Sequence, residues 1–314
     1  MLLFIYSLFV AVFLFGSLNF AYKRTNHYRS SLEAIQKFID GVPFELEIVN
    51  TGSSYASYAY DYSNTELKGF NFALQPQSLS YDFKILKHYV SHLKKGCVVQ
   101  IVLADFIFCF LDYADDRRNY RYYHFLNSCD ILNYSTLKSF IIKQIPLFQG
   151  KIHLRSLIRD IPSSNIFAQD CNYLSEVSVV AEASARINGW VKEFGLKNTS
   201  DTELPEELLL MFKSTTNLVD QIIRYCIDNG LKPLLVIPPT SAVLNNLLSK
   251  EFIKKVLYDN IEKSNNQNIP VLDYLYDERF QDYSLYVNSD MLNRTGREKF
   301  IKVVIADLQA LKLI

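Results

Sequence analysis

Apolar and polar positions alternate along this chain in a way that outlines a sheet-and-helix protein behind an apolar leader. Residues 1–22 carry no charged side chain, and the run is long enough to cross a bilayer as a helix, which takes roughly 20 apolar residues. No basic start and no small-residue cleavage site mark it as a signal peptide, so the pattern predicts one uncleaved anchor. Residues 30–40 then read as a short helix, with Gly41 and Pro43 as its stop. A short strand follows at Leu46, Ile48 and Val49, and it breaks at Asn50-Thr51-Gly52, residue types that favour turns. Residues 70–74 give a second short strand. Leu79, Phe83, Leu86, Tyr89, Val90 and Leu93 recur at helical spacing, which predicts a helix over 78–95 with Gly96 as its stop.

Residues 97–103, CVVQIVL, form a run of buried-strand type. Strand, helix and strand therefore alternate, the pattern of a parallel sheet covered by helices. From about 106 to 200 the pattern is less regular. It holds a tyrosine-rich polar loop at 112–123, short helices at 136–145 and 152–158, and a helical stretch that Asn188-Gly189 interrupts. We read 106–200 as an insertion between sheet strands, a class of segment that often carries function. Beyond it come a long helix at 205–228, a strand at 232–237 stopped by Pro238-Pro239, a helical region at about 240–263, a strand at 269–274 and a closing helix at 293–313. The division is an anchor at 1–22, a linker at 23–44 and a main domain at 45–314.

Composition narrows the function. Lysine plus arginine equals aspartate plus glutamate at 33 each, so no charge excess suggests a nucleic-acid partner. Five cysteines at 97, 109, 129, 171 and 226 include no C-x-x-C pair, which argues against a zinc site; a Cys129–Cys171 bridge stays open. His88 and His92 stand four apart on the expected helix, a spacing that can bind a metal, but no carboxylate motif accompanies them, and we assign neither metal nor cofactor. The arginines of the insertion (117, 118, 121, 155 and 159) are read as a solvated face, with an anionic ligand as the alternative.

The candidate chemistry lies at the first strand's end. A serine on a tight strand-to-helix turn can expose its hydroxyl above a sheet edge, beside the unpaired N–H groups of the helix start, which suits acyl transfer. Ser53 or Ser54 as a plain helix cap is the competing reading.

Three local matches resemble the SGNH, or GDSL, hydrolases. Gly52-Ser53-Ser54 is similar to the first family block, which implies Ser54 as nucleophile. Gly69 and Asn71 fall where the second block would supply oxyanion donors. The run from Asn288 to Gly296, NSDMLNRTG, is similar to the last block, usually Asp-x-x-His-Leu-Asn-x-x-Gly, and contributes Asn293. The family's Asp and His positions fall on Asn288 and Met291, and a thioether cannot act as a general base. The third block is not visible in Ala104-Asp105-Phe106. Asp290 or His124 would have to supply the missing proton acceptor. The leader adds a likeness to the anchored branch that modifies bacterial surface polymers, including the teichoic-acid D-alanine transfer and alginate acetylation proteins.

The resemblance implies a three-layer α/β/α, flavodoxin-like domain in a single-pass cell-membrane protein. It implies O-acyl transfer or ester hydrolysis on surface or capsular polysaccharide. The alternative is a catalytically degenerate accessory that binds polysaccharide or a membrane-bound O-acyltransferase. It also implies an extracytoplasmic domain, whereas Lys23, Arg24 and Arg29, all after the span, favour the cytoplasm.

Overall fold

The computed structural model describes residues 2–110, 117–148, 176–200 and 203–314. They divide into two compact units, Met1–Gly41 with Tyr113–Gln169, and Val42–Asp112 with Asp170–Ile314. The stretch read as one insertion is thus shared between the units.

The first unit begins with α1, Leu2–Tyr22, whose stretch Phe4–Tyr22 is long and apolar enough to cross a membrane and, before the buried Tyr22, stays outside the protein core. Thr25 caps α2, Asn26–Ile39, by accepting from the Tyr28 N–H. Helix α2 turns Ile35 and Phe38 inward, and Phe38 stacks on Phe125 at 4.2 Å. The short α3, Ser54–Ala59, and α4, Leu79–His88, belong to the second unit. In the first, α5, Thr136–Gln144, is capped by Ser135 and followed by a 3-10 turn, Pro146–Phe148.

Five parallel strands make the sheet of the second unit: β1 Leu46–Asn50, β2 Gly69–Asn71, β3 Leu93–Val102, β4 Lys232–Ile237 and β5 Val271–Asp273. Their order is β2-β1-β3-β4-β5, so chain direction across the sheet reverses between β1 and β3. Two helices precede β4, α6 Glu176–Glu193 within the insertion and α7 Glu206–Asp228 after it, and two short ones follow β4, α8 Ala242–Asn245 and α9 Lys250–Ile253. After a π-helical turn, Lys254–Tyr258, come α10, Asp259–Ser264, and finally α11, Arg294–Ala310. Ile48, Val98, Val102, Leu234 and Val236 share a buried cluster with Ala56 and Ala59 of α3 and with Phe300, Val304 and Leu308 of α11. Strand residues of the other parity, Val49, Val99, Ile101 and Leu235, are equally buried, as parallel strands require.

Two expectations change. The helix read over 78–95 stops at His88. A 3-10 turn, Val90–His92, follows, and Leu93 already begins β3. Lys94 and Lys95 are therefore exposed strand residues, and Gly96 sits at φ +80° inside the strand, close to the register shift that β1 shows between Leu46 and Ile48. His88 and His92 accordingly share no helix; the His92 Nδ1 lies 2.9 Å from the Val42 carbonyl oxygen and its ring stacks on Phe44. The second correction is at Asn188-Gly189, where α6 runs on unbroken.

Candidate functional site

Ligands of open parallel sheets bind beyond the strands' carboxyl ends, where strand order reverses. Here that place lies between the ends of β1 and β3. The chain leaves β1 through Gly52, at φ +125°, and a Cβ there would stand 2.8 Å from the Ala56 Cβ and 3.1 Å from the Val102 Cβ. Only glycine lets the turn fold this tightly over β3. Asp82 of α4, fully buried, accepts the Gly52 N–H at 2.9 Å and also the Gln77 side-chain amide. Burial pushes its carboxyl up to about 7, against the pull of those two hydrogen bonds. Gln77 closes the frame: its amide also donates to the Gly52 carbonyl, and its backbone N–H donates to the Ser53 Oγ at 3.0 Å.

Ser53 is thus the N-cap residue of α3 by backbone position, but its hydroxyl serves Gln77 rather than the helix. Ser54 is half-buried at the first helical position, and its hydroxyl has no hydrogen-bond partner among the described residues. Asn71 spends its amide on structure: Nδ2 donates to the carbonyls of Ala56 and Tyr60, and Oδ1 accepts from Asn50 Nδ2 and the Ala73 N–H. Gly69 pairs with Ile48, two residues before the end of β1, and a Cβ there would collide with the Tyr62 ring.

The late loop is built by its asparagines. Asn288 Oδ1 accepts the N–H groups of Asp290 and Met291 at 3.1 and 2.8 Å, which makes a turn. Asn293 caps α11 by accepting the Gly296 N–H, and its amide donates to Ser284. A Cβ on Gly296 would strike the Leu285 carbonyl oxygen, so the glycine of this run is a packing requirement. Met291 is half-buried. The turn leaves Asp290 buried, 2% exposed, with Oδ2 3.0 Å from Arg186 Nη1 of α6. Arg186 also holds Glu182 one turn back, and Glu182 accepts the Ser289 N–H at 2.9 Å.

Asp105, three residues past β3 and 1% exposed, completes the cluster. Tyr55, the residue after Ser54, places its Oη 3.4 Å from Asp105 Oδ2 and interacts with Asp290 as well. The early turn and the late loop therefore meet through Tyr55, Asp105 and Asp290. Burial, and then the charge of Asp290, raise the Asp105 carboxyl well above its usual range. Burial likewise raises Asp290, while Arg186 pulls it down and Glu182 pushes it up. Two carboxylates so close in a dry site do not readily ionise together. Burial and the same two carboxylates also hold the Tyr55 phenol in its protonated form. Asp105 Oδ1 is buried without a hydrogen-bond donor among the described residues, whereas Asp290 is held by Arg186 and Tyr55.

His124 belongs to the first unit, where burial and Lys143 lower its pKa. Cys97, Cys109 and Cys226 are buried thiols and Cys129 is an exposed one; Cys171, His153, Arg155 and Arg159 lie outside the described residues. Among the described residues no group of three His, Cys, Asp or Glu could hold a metal. Sequence reasoning passed over Asp105, Arg186 and Glu182. The available signal was an acid placed directly after an apolar strand, in VLADFIF. Compared with known proteins, the sequence matches no family model and no curated protein.

Proposed function

We propose that this is a membrane-anchored protein of SGNH-like, three-layer α/β/α fold that has kept the frame of a hydrolase site and lost its turnover. It acts as an accessory that holds surface or capsular polysaccharide on the outer side of the cell membrane. One observation carries the reading. The Ser54 hydroxyl has no proton acceptor among the described residues, and Asp290, the carboxylate nearest in sequence to the family's His position, is engaged by Arg186 and Tyr55 instead. Acyl transfer by serine needs a base within hydrogen-bond reach. What remains suits hydroxyl-rich ligands, since the unpaired Asp105 Oδ1 accepts from a sugar hydroxyl, while the Arg186 guanidinium has further N–H groups to donate. Purified full-length protein is expected to release no acetate from acetylated glycans, and Asn288→Asp with Met291→His is expected to install esterase activity. Turnover by the unaltered protein that disappears in Ser54→Ala overturns the proposal.

A second reading retains acyl transfer, with Ser54 as nucleophile and Asp290 as proton acceptor. It draws support from Tyr55, which follows Ser54 in the chain and interacts with Asp290. In this reading Ser54→Ala lowers polysaccharide acylation in cells. A membrane-bound O-acyltransferase is the natural partner under either one.

A further inference from the structure

Helix α5 wears its apolar face outward. Ser139 and Ile142 turn into the first unit, whereas Leu137 and Phe140 are 69% and 58% exposed, with Ile141 half-buried beside them. At 100° per residue these three and Gln144 form one stripe, and Lys138 and Lys143 flank it on either side. An exposed apolar stripe between lysines is the pattern of a helix lying in a membrane interface, with the ammonium groups reaching toward headgroups.

A second observation fixes where that stripe sits. Asn19, in the last turn of α1, donates through Nδ2 to the Gln144 carbonyl at 3.0 Å and accepts the Leu147 N–H at 3.3 Å. The end of α5 is therefore pinned to the apolar helix itself. Asn19 lies six residues past the middle of Phe4–Tyr22, roughly 9 Å along the axis, inside a hydrocarbon half-thickness of about 15 Å. Phe140 is one turn from the pinned Gln144. If α1 spans a bilayer, Phe140 reaches the lipid.

We infer that α5 is a second membrane contact, an interfacial helix that lays Leu137 and Phe140 into the bilayer surface beside the anchor. The inference rests on the reading of α1 as a span. The bilayer continues the surface that α1 already presents, and it is the occupant whose chemistry matches an apolar stripe edged by lysines. Such a contact would restrain the tilt and rotation of the unit about its anchor.

The test uses full-length protein in phosphatidylcholine vesicles containing acyl-chain-brominated lipid. The single native tryptophan is first replaced by Trp190→Phe. Phe140→Trp and, separately, Phe13→Trp then report lipid contact. Phe140→Trp is expected to emit at shorter wavelength than a water-exposed indole and to lose emission with shallow bromines, and Phe13→Trp to lose it with deep ones. Phe140 is exposed, so the exchange does not disturb the core. If Phe13→Trp is quenched and Phe140→Trp emits as in water, the interfacial contact is overturned while the span stands. If neither is quenched, the span reading fails and takes this inference with it.

Discussion

Asp82 and Asp105 are both buried beside the carboxyl ends of neighbouring strands, and burial raises both carboxyls to about 7. Their surroundings differ. One oxygen of Asp82 gathers the Gly52 N–H and the Gln77 amide, and so ties α4 to the turn after β1. Asp105 makes only the long side-chain contact with Tyr55, and each of the two acids keeps one oxygen, Asp82 Oδ2 and Asp105 Oδ1, buried without a donor among the described residues. A raised pKa by itself does not tell the two acids apart; the groups each one holds do. Asp82 holds backbone and amide groups of the frame through one oxygen, whereas Asp105 holds no backbone group outside its own loop and faces Tyr55 and the Asp290–Arg186 pair.

That contrast can be broken by substitution. The largest expected effect is at Asp82→Ala, which strands the Gly52 N–H and frees Gln77; we expect a loss of about 3 kcal/mol in denaturant unfolding. Asp82→Asn, which keeps an acceptor for Gly52, should lose much less. Asp105→Asn should do the opposite and stabilise the protein by about 1 kcal/mol at pH 8, because it relieves a buried carboxylate of its charge; under the proposed function it also weakens glycan binding. A clear loss of stability in Asp105→Asn would make the two acids equivalent and end the comparison.

pH sharpens it. Both carboxyls hold their proton in the folded state up to about 7 but release it near 3.8 when unfolded. Between those values the folded form binds more protons, so stability falls as pH rises through the window and is greatest toward its acid end. Melting curves across that range should show the slope, and Asp82→Asn or Asp105→Asn should each flatten part of it. The smallest effects separate the serines. Ser53→Ala removes the acceptor of the Gln77 N–H and should cost about 1 kcal/mol, whereas Ser54→Ala should be near neutral in the same melts.

The strands and the long helices were legible because their apolar runs are continuous and bounded by Gly, Pro and Asn. The helix read over 78–95 overran because the apolar spacing of Tyr89, Val90 and Leu93 continues through a 3-10 turn into a strand, where Lys94 and Lys95 protrude past the buried part of the sheet. The Gly52 turn was legible from three turn-forming residues in a row. The Asp105–Asp290 pairing was not, since it joins residues brought together only by the sheet. Arg186 went unread behind Asn188-Gly189, a break that burial of Ala183 and Ile187 on α6 overrides. The same limit hid the role of Asn71: an amide that holds four backbone and side-chain groups looks, in sequence, like one free to bind.

Strands β3 and β4 are hydrogen-bonded neighbours at the middle of the sheet, yet everything from 103 to 231 lies between them in the chain. A ribosome making this protein finishes β1, β2 and β3 long before the strand that covers the open side of β3 exists. That nascent edge must wait, exposed, while the apolar α1 has long since left the ribosome. Slow elongation or a holding chaperone during this interval should therefore matter more to yield than any later step, because the closing of the sheet is a long-range event.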